Sequence, residues 1–504
     1  MQKPRSKSGR RRTSVGIALL IATGLGAGCK VGPDYHAPRQ PMPAQWSSPA
    51  PPPTTQASVT VQPAAPVERW WTTFGDPVLD SLVARAVASN LDLRLATERV
   101  REARASLGVV SSGLFPAANV GGSYTRSGTG TSGGRNFWRT GFDAAWELDV
   151  FGGVRRAVES STASLQATVE DRRDVLVTLL GDVATNYILL RGTQQEIAIA
   201  QNNLGAQARN ARLTREKKRL GTGTDLDIAQ ADAQVASTTA ATASLRTQER
   251  QTVYALSVLL GSPPTALDDE LQPREAIPAP PPVVPVGLPS DLLRRRPDIR
   301  RAERQLAAAT AGIGVATADL FPRFSLTGSA GLQGPHAQSL VNADNHFWAI
   351  GPAFSWPIFD AGRIRSNIEV QNALQAQALA TYQKTVLTAL QEVQGQLVAY
   401  AEEQNRRAAL ADAVTFNQRA VELATRRYNQ GLTDFLSVLD AQRSLFASQD
   451  ALVQSNRTVS TTAVALYKAL GGGWEIEERP TAPAATTQPA APDPAPPAVT
   501  SAGG

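Results

Sequence analysis

Two periodicities divide this chain. The positions Leu379, Tyr382, Val386, Leu390, Val393, Leu397 and Tyr400 step by 3, 4, 4, 3, 4 and 3 residues, the spacing of a coiled-coil seam. Val169, Arg172, Leu176, Leu180, Val183, Tyr187 and Leu190 repeat it upstream. The pattern runs without proline from about Gly153 to Leu220 and from Gly362 to Gln430. At ~1.5 Å per residue each stretch predicts a rod of roughly 100 Å, far longer than an ordinary globular helix. Gly221-Thr222-Gly223-Thr224-Asp225 and Gly431-Leu432-Thr433-Asp434 break the rods, and shorter helices then return to Gly261 and Gly471. Glycine ends a helix and Thr or Asp starts the next, so Asp225 and Asp434 are expected as caps. Before each rod, Asp76 to Leu114 and Asp291 to Leu320 read as helices ended by a Phe-Pro pair.

Between these helices the period drops to two. One face of the first alternating segment carries Trp138, Thr140, Phe142, Ala144, Trp146 and Leu148, and the other Arg139, Gly141, Asp143, Ala145, Glu147 and Asp149. The later segment places Trp348, Ile350, Phe354, Trp356 and Ile358 on the corresponding face. In the strand before it, Leu326, Gly328, Ala330 and Leu332 alternate with Ser325, Thr327, Ser329 and Gln333. Aromatics near both ends fit a lipid-facing surface that meets the two interfacial girdles. A soluble two-sided sheet is the competing reading, and it leaves those aromatic ends without a reason.

The whole pattern occurs twice. Asn136-Phe137-Trp138 returns as His346-Phe347-Trp348, Trp146 as Trp356, Arg155 as Arg365, Gly221 as Gly431 and Leu260-Gly261 as Leu470-Gly471, each pair 210 residues apart. Phe115-Pro116 returns as Phe321-Pro322 at a separation of 206, so a four-residue length change falls in the intervening loop. The expected organisation is a signal peptide (1–28), an extended N-terminal segment (29–75), a first repeat (76–261), a Pro-rich connection (262–290), a second repeat (291–471) and a Pro/Ala-rich tail (472–504). Residues 37–66 and 479–504 are too poor in apolar side chains to bury a core.

Charge changes the picture less than it first suggests. The chain of 504 residues has a net charge of +6 and a pI of about 9.6. Six of the 50 basic residues, Lys3, Arg5, Lys7, Arg10, Arg11 and Arg12, precede the apolar run Val15–Leu25, and the remaining 44 balance the 44 acids. That argues against nucleic acid as a partner and for a secretory signal. The single cysteine, Cys29, follows Gly26-Ala27-Gly28. No internal disulfide can form, and a thiol at that place reads as a lipid acceptor, with ordinary cleavage nearby as the alternative. No uninterrupted apolar run near 20 residues follows it, so a membrane crossing must use strands. Four strands cannot close without leaving edges open in lipid, and several chains must therefore share a barrel.

Cys29-Lys30-Val31-Gly32-Pro33-Asp34-Tyr35, Trp71 to Asp76-Pro77, Arg295-Arg296-Pro297-Asp298-Ile299, both Phe-Pro pairs and Phe359-Asp360-Ala361-Gly362-Arg363 resemble the TolC-like outer-membrane factors, in their lipoprotein efflux branch. The resemblance implies an α+β membrane protein: a homotrimer of internally duplicated chains, with a shared 12-stranded transmembrane β-barrel above a long periplasmic α-helical barrel. It implies a periplasmic adaptor protein and an inner-membrane pump of the resistance-nodulation-division type as partners, outer-membrane lipid around the barrel, and drugs, dyes or detergents as exported solutes. It further implies a periplasmic gate in which Asp440 occupies an inward acidic ring and Tyr428 a tethering position. Tip residues Gly221, Thr222, Gly223, Thr224, Gly431, Leu432 and Thr433 are expected to meet the adaptor. Pairing of Asp440 with Arg443 or Arg426 on a wetted helix face is the alternative at that position. Gln230 stands where the first repeat would carry Asp440, which favours the second repeat as the gate. No phosphate loop, nucleophile elbow or metal-ligand spacing is present, so neither catalysis, cofactor nor metal is expected. A lipid-anchored periplasmic coiled-coil scaffold is the alternative function.

Overall fold

In the computed structural model, residues 30–47, 68–130, 133–280, 284 and 286–477 are described. The expected signal peptide with Cys29, and the residues from 478 onward, lie outside them. Two similar series of elements follow one another. The first comprises α1 (Pro77–Ser89), α2 (Leu91–Ser112), β1 (Ala117–Ser127), β2 (Arg135–Leu148), α3 (Gly153–Arg219) and α4 (Asp225–Leu259). The second comprises α5 (Pro297–Ala318), β3 (Arg323–Gly334), β4 (His346–Ser355), α6 (Arg363–Asn429) and α7 (Phe435–Ala469).

The helices expected before the strands are each interrupted. At Asn90 the backbone turns extended; the side chain accepts from Leu93 N to cap α2 and donates to the Leu259 carbonyl. A polar residue that satisfies two backbone groups can thus break a pattern whose apolar spacing continues across it. At Arg296 the cause is Pro297, which disfavours helical backbone in the residue before it.

α3 and α6 are rods of 67 residues each. One 18-residue window of α3 is apolar enough to pass for a membrane span, but two thirds of it is buried inside the chain, as expected of a core helix. This qualifies the expectation that no such stretch exists. Around the axis α3 packs against α5 and α7 on one side and against α2 and α4 on the other, while α6 packs on α5 and α7. The order α2–α3–α5–α6 above, and α4–α3–α7–α6 below, leaves α6 at one flank and α2 with α4 at the opposite flank.

The main core sits midway, where Leu176, Leu180, Val183 and Tyr187 of α3 meet Val386, Val393 and Leu397 of α6 and Val459 and Leu466 of α7. Most of the seam predicted from 3-4 spacing is therefore buried, while Val169, Arg172, Leu379 and Leu390 are half-buried. Trp70 closes this core, stacked on Tyr467 at 5.3 Å. The Pro-rich connection straps over it: the buried Arg191 donates to the Pro273 carbonyl and to Glu275, and Trp46 donates to the Gly287 carbonyl.

The strands form one antiparallel sheet in the order β1-β2-β3-β4. β2 pairs with β3, so the two repeats are joined in the sheet as well as in the helices.

Candidate functional site

The register sorts the sheet into two faces. Val120, Phe142, Ala330 and Trp348 stand in one cross-strand row, as do Ala118, Ala144, Gly328 and Ile350. Asn119, Asp143, Ser329 and Ala349 form the neighbouring row on the other face. Because side chains alternate along a strand, one face is mainly apolar across all four strands and the opposite face is mainly polar and small, with Phe137 and Phe347 as exceptions near one end. Phe142, Trp348 and Phe354 on the apolar face are each about two-thirds exposed or more, against what is normal for large apolar side chains in a single chain in water. β1 and β4 both keep an unpaired edge.

Of the predicted strand aromatics, Trp138 packs on Tyr124 with ring centroids 4.5 Å apart. Trp146 donates from Nε1 to the Leu114 carbonyl at 3.0 Å, and Trp356 to the Leu320 carbonyl at 3.0 Å. The repeats thus use one device to satisfy the last turn of the helix that feeds each strand pair. Trp356 lies one residue beyond β4 rather than in it, because the following Pro357 cannot continue the ladder. Phe151 stacks on Phe321 at 4.5 Å beside them.

Below this boundary the N-terminal segment is clasped. Arg156, 1% exposed, donates to the carbonyls of Val31 and Gly32 and to Asp34 and Glu159. Glu159 also pairs with Lys30, and both cations hold its carboxyl below the usual range against the opposing effect of burial. The chain two residues after Cys29 is thereby fixed to the junction between strands and rods.

The far end of the rods carries the other predicted residues. Gly221 and Gly431 adopt left-handed backbone with φ of 75° and 77°, which lets the N–H groups of Thr222 and Gly223 fold back onto the Lys217 carbonyl, and Leu432 N onto Arg427. Asp434 caps α7: it accepts from Ser437 N and Oγ, bonds that hold its carboxyl below the ordinary value. Asp225 does not cap α4. Thr224 does so, in a capping box with Asp227, and Asp225 pairs instead with Lys218. A Thr three residues before an acid outcompetes the acid that directly follows it. The tips expose Leu220, Leu226, Leu432 and Leu436 around Gly221, Thr222, Thr224 and Gly431, with Gly223 and Thr433 half-buried.

Tyr428 is buried in a small core of its own with Ala211, Ala231, Phe435, Val438 and Leu439. Its ring lies 5.6 Å from that of Phe435, and burial pushes its phenol up. Among the described residues its hydroxyl has no hydrogen-bond partner. Asp440, just beyond this core on α7, is exposed and pairs with neither suggested arginine: Arg443 donates to Gln234, and Arg426 to Glu422. Lys217, which the sequence did not single out, donates to the Tyr428 carbonyl at 2.7 Å. Its only sequence signal was the cluster Lys217-Lys218-Arg219 in the last turn of a rod, where any cation favours the helix dipole.

With this geometry in hand, comparison with known proteins gives one answer. The family of outer membrane efflux proteins matches residues 82–262 and 288–472. The solvent efflux pump outer membrane protein SrpC of Pseudomonas putida is 37% identical over 478 residues, covering 92% of this chain and 98% of its own. The antibiotic efflux pump outer membrane protein ArpC, also of Pseudomonas putida, is 35% identical over 467 residues, 91% of this chain and 95% of its own. Among solved structures the outer-membrane channel OprN superimposes with a TM-score of 0.83 at 36% identity, covering 89% of this chain and all of that one.

Proposed function

Because this chain belongs to the outer membrane efflux protein family, a family of transport channels, we propose that it is the outer-membrane conduit of a tripartite efflux system, working as a homotrimer without catalytic activity. The observation that carries the reading is the sheet: an apolar face spans four strands, and both edges are open. Lipid tolerates no open edge, so copies must pair β4 of one chain with β1 of the next. Three sheets of four strands then close a 12-stranded barrel. The same rotation brings the exposed apolar side chains of α6, Val370, Leu387, Val398 and Phe416, against those of α2 and α4 in the neighbour, Leu91, Leu95, Tyr254 and Val258. Rods and sheet thereby continue into one tunnel.

In this reading Trp138, Phe142, Trp146, Trp348, Phe354 and Trp356 face lipid, and the polar row of Asn119, Asp143, Ser329 and Ala349 lines the lumen. Asp440 and Tyr428 belong to a gate where the tips converge: that convergence would set the three Asp440 carboxylates as a ring around the axis, and Tyr428 would hold the second hairpin of each chain in place. The exposed leucines and the glycine turns, Gly221 to Thr224 and Gly431 to Thr433, offer the adaptor an apolar docking surface, and adaptor binding would stabilise the open arrangement by differential contact. Cys29 would carry the lipid anchor, held at the periplasmic membrane boundary by the Arg156 clasp. An inner-membrane pump of the resistance-nodulation-division type supplies energy, and the solutes are small apolar or amphipathic toxicants: solvents, antibiotics, dyes and detergents.

Deletion of the chain in its host should raise intracellular accumulation of such a dye, and full-length protein should reverse it. Unchanged accumulation across a panel of solvents, antibiotics and dyes would argue for the lipid-anchored scaffold instead.

A further inference from the structure

Polar contacts between the two hairpins, α3/α4 and α6/α7, form a series along the rods. Beside the main core Lys468 pairs with Asp182, and next toward the tips the Glu196 carboxylate pairs with Arg457. Asn203 then donates to Gln449, and nearer the tips Arg443 donates to Gln234. The last member is Lys217. Its Nζ lies 2.7 Å from the Tyr428 carbonyl oxygen and 3.8 Å from the centre of the Tyr428 ring.

Three features set this contact apart. Of the three consecutive cations that end α3, Lys218 pairs with Asp225 and Arg219 with Glu216, both in its own repeat, whereas Lys217 reaches across to the other. The acceptor is a carbonyl in the last turn of α6, the negative end of that helix, and the ring beneath adds a cation–π attraction. The same carbonyl already accepts from Gly431 N, so the Lys217 bond is additional and its loss leaves no orphaned group.

We propose that Lys217 is a latch that holds the tip of the second hairpin against the first in the closed tunnel. It stands two residues from the end of α3, at the greatest distance from the core in which the rods are anchored. Any outward swing of α6 and α7 separates this pair by more than it separates the contacts nearer the core. The latch rests on the reading of the tips as a gate, and it differs from Asp440 in kind: the carboxylates would meet at the axis between three chains, whereas Lys217 acts within one chain by direct attraction between its two hairpins.

The full-length trimer in planar lipid bilayers tests it. K217M should raise the frequency of open events roughly tenfold in the absence of adaptor, the scale of one charge-assisted hydrogen bond. K217R, which keeps the charge and the reach, should remain near wild type, and the temperature of trimer dissociation should be the same in all three. Wild-type gating in K217M, with D440A altering conductance, would overturn the latch and leave the gate in place. Wild-type behaviour in both variants would overturn the gate reading and the latch together. If K217M and K217Q both fail to assemble as trimers, Lys217 is a structural residue and the latch is wrong.

Discussion

A single methyl group at Gly331 should weaken the seam that joins the two repeats within the sheet. Gly141 on β2 and Gly331 on β3 face each other in register. A Cβ on Gly331 would press into the Thr140 carbonyl oxygen, lie 2.6 Å from Gly141 Cα and lie 2.9 Å from Phe347 Cε1. One on Gly141 would lie 2.5 Å from the Ala330 oxygen. Two of the obstructions are backbone, which cannot rotate away, and the third is a ring covered by the Arg139 guanidinium at 4.2 Å. Overpacking of this kind costs about 1–3 kcal/mol per site, so three copies in a trimer should cost roughly 3–9 kcal/mol if they act independently. Gly351 supplies the control: it lies on the same face of β4, and a Cβ there meets nothing within 4 Å. The assay is the temperature at which detergent-solubilised trimer converts to monomer on semi-native gels. Gly331→Ala should lower it clearly, Gly351→Ala barely. Equal shifts in the two variants would refute the close approach of β2 and β3.

Other regions give separate tests. Glu196 is buried, and that burial raises its carboxyl above the ordinary value, only partly offset by Arg457 and reinforced by Asp450. A folded-state value above the unfolded one means stability that is complete below the unfolded value of about 4.3 and is lost as pH rises through the folded one. Glu196→Gln should flatten this part of the pH dependence in thermal melts, and parallel curves for wild type and variant would contradict it. Arg156→Ala removes the hydrogen bonds to residues 31–34; with about 1.5–3 kcal/mol expected for a bond to a charged group, limited proteolysis near residue 34 should accelerate while the rods stay intact. Thr224→Ala should cost about 0.5–2 kcal/mol locally and speed amide exchange in the first turn of α4, with α7 unaffected because Asp434 caps it independently.

The parts of this fold that were legible in the sequence are those fixed by period. The 3-4 spacing of Leu379 to Tyr400 reports a buried seam because a rod must hide one stripe, and Tyr382, Val386, Val393, Leu397 and Tyr400 are indeed buried. The alternation around Phe142 and Trp348 reports a two-faced sheet for the same reason. Competition between polar groups was harder to read. Asn90 breaks a helix whose apolar pattern runs on, and its hydrogen bond to Leu259 joins residues far apart in sequence. Asp225 looked like a cap until Thr224 and Asp227 satisfied each other. Lys217 sits among three adjacent cations, and only the packing of α3 on the second hairpin selects which of them crosses. Trp46, within a Pro-rich stretch that offered no core, is buried through its bond to Gly287. Long-range partners of this sort leave no period in the chain.

The conductance of purified full-length trimer in planar bilayers, compared between wild type and Asp440→Ala, bears most directly on the account of a gated conduit. Wild type should conduct ions in rare or small openings, and Asp440→Ala should conduct more freely because the carboxylate ring is gone. A trimer that conducts no ions in either form, or two forms with identical conductance, would contradict it.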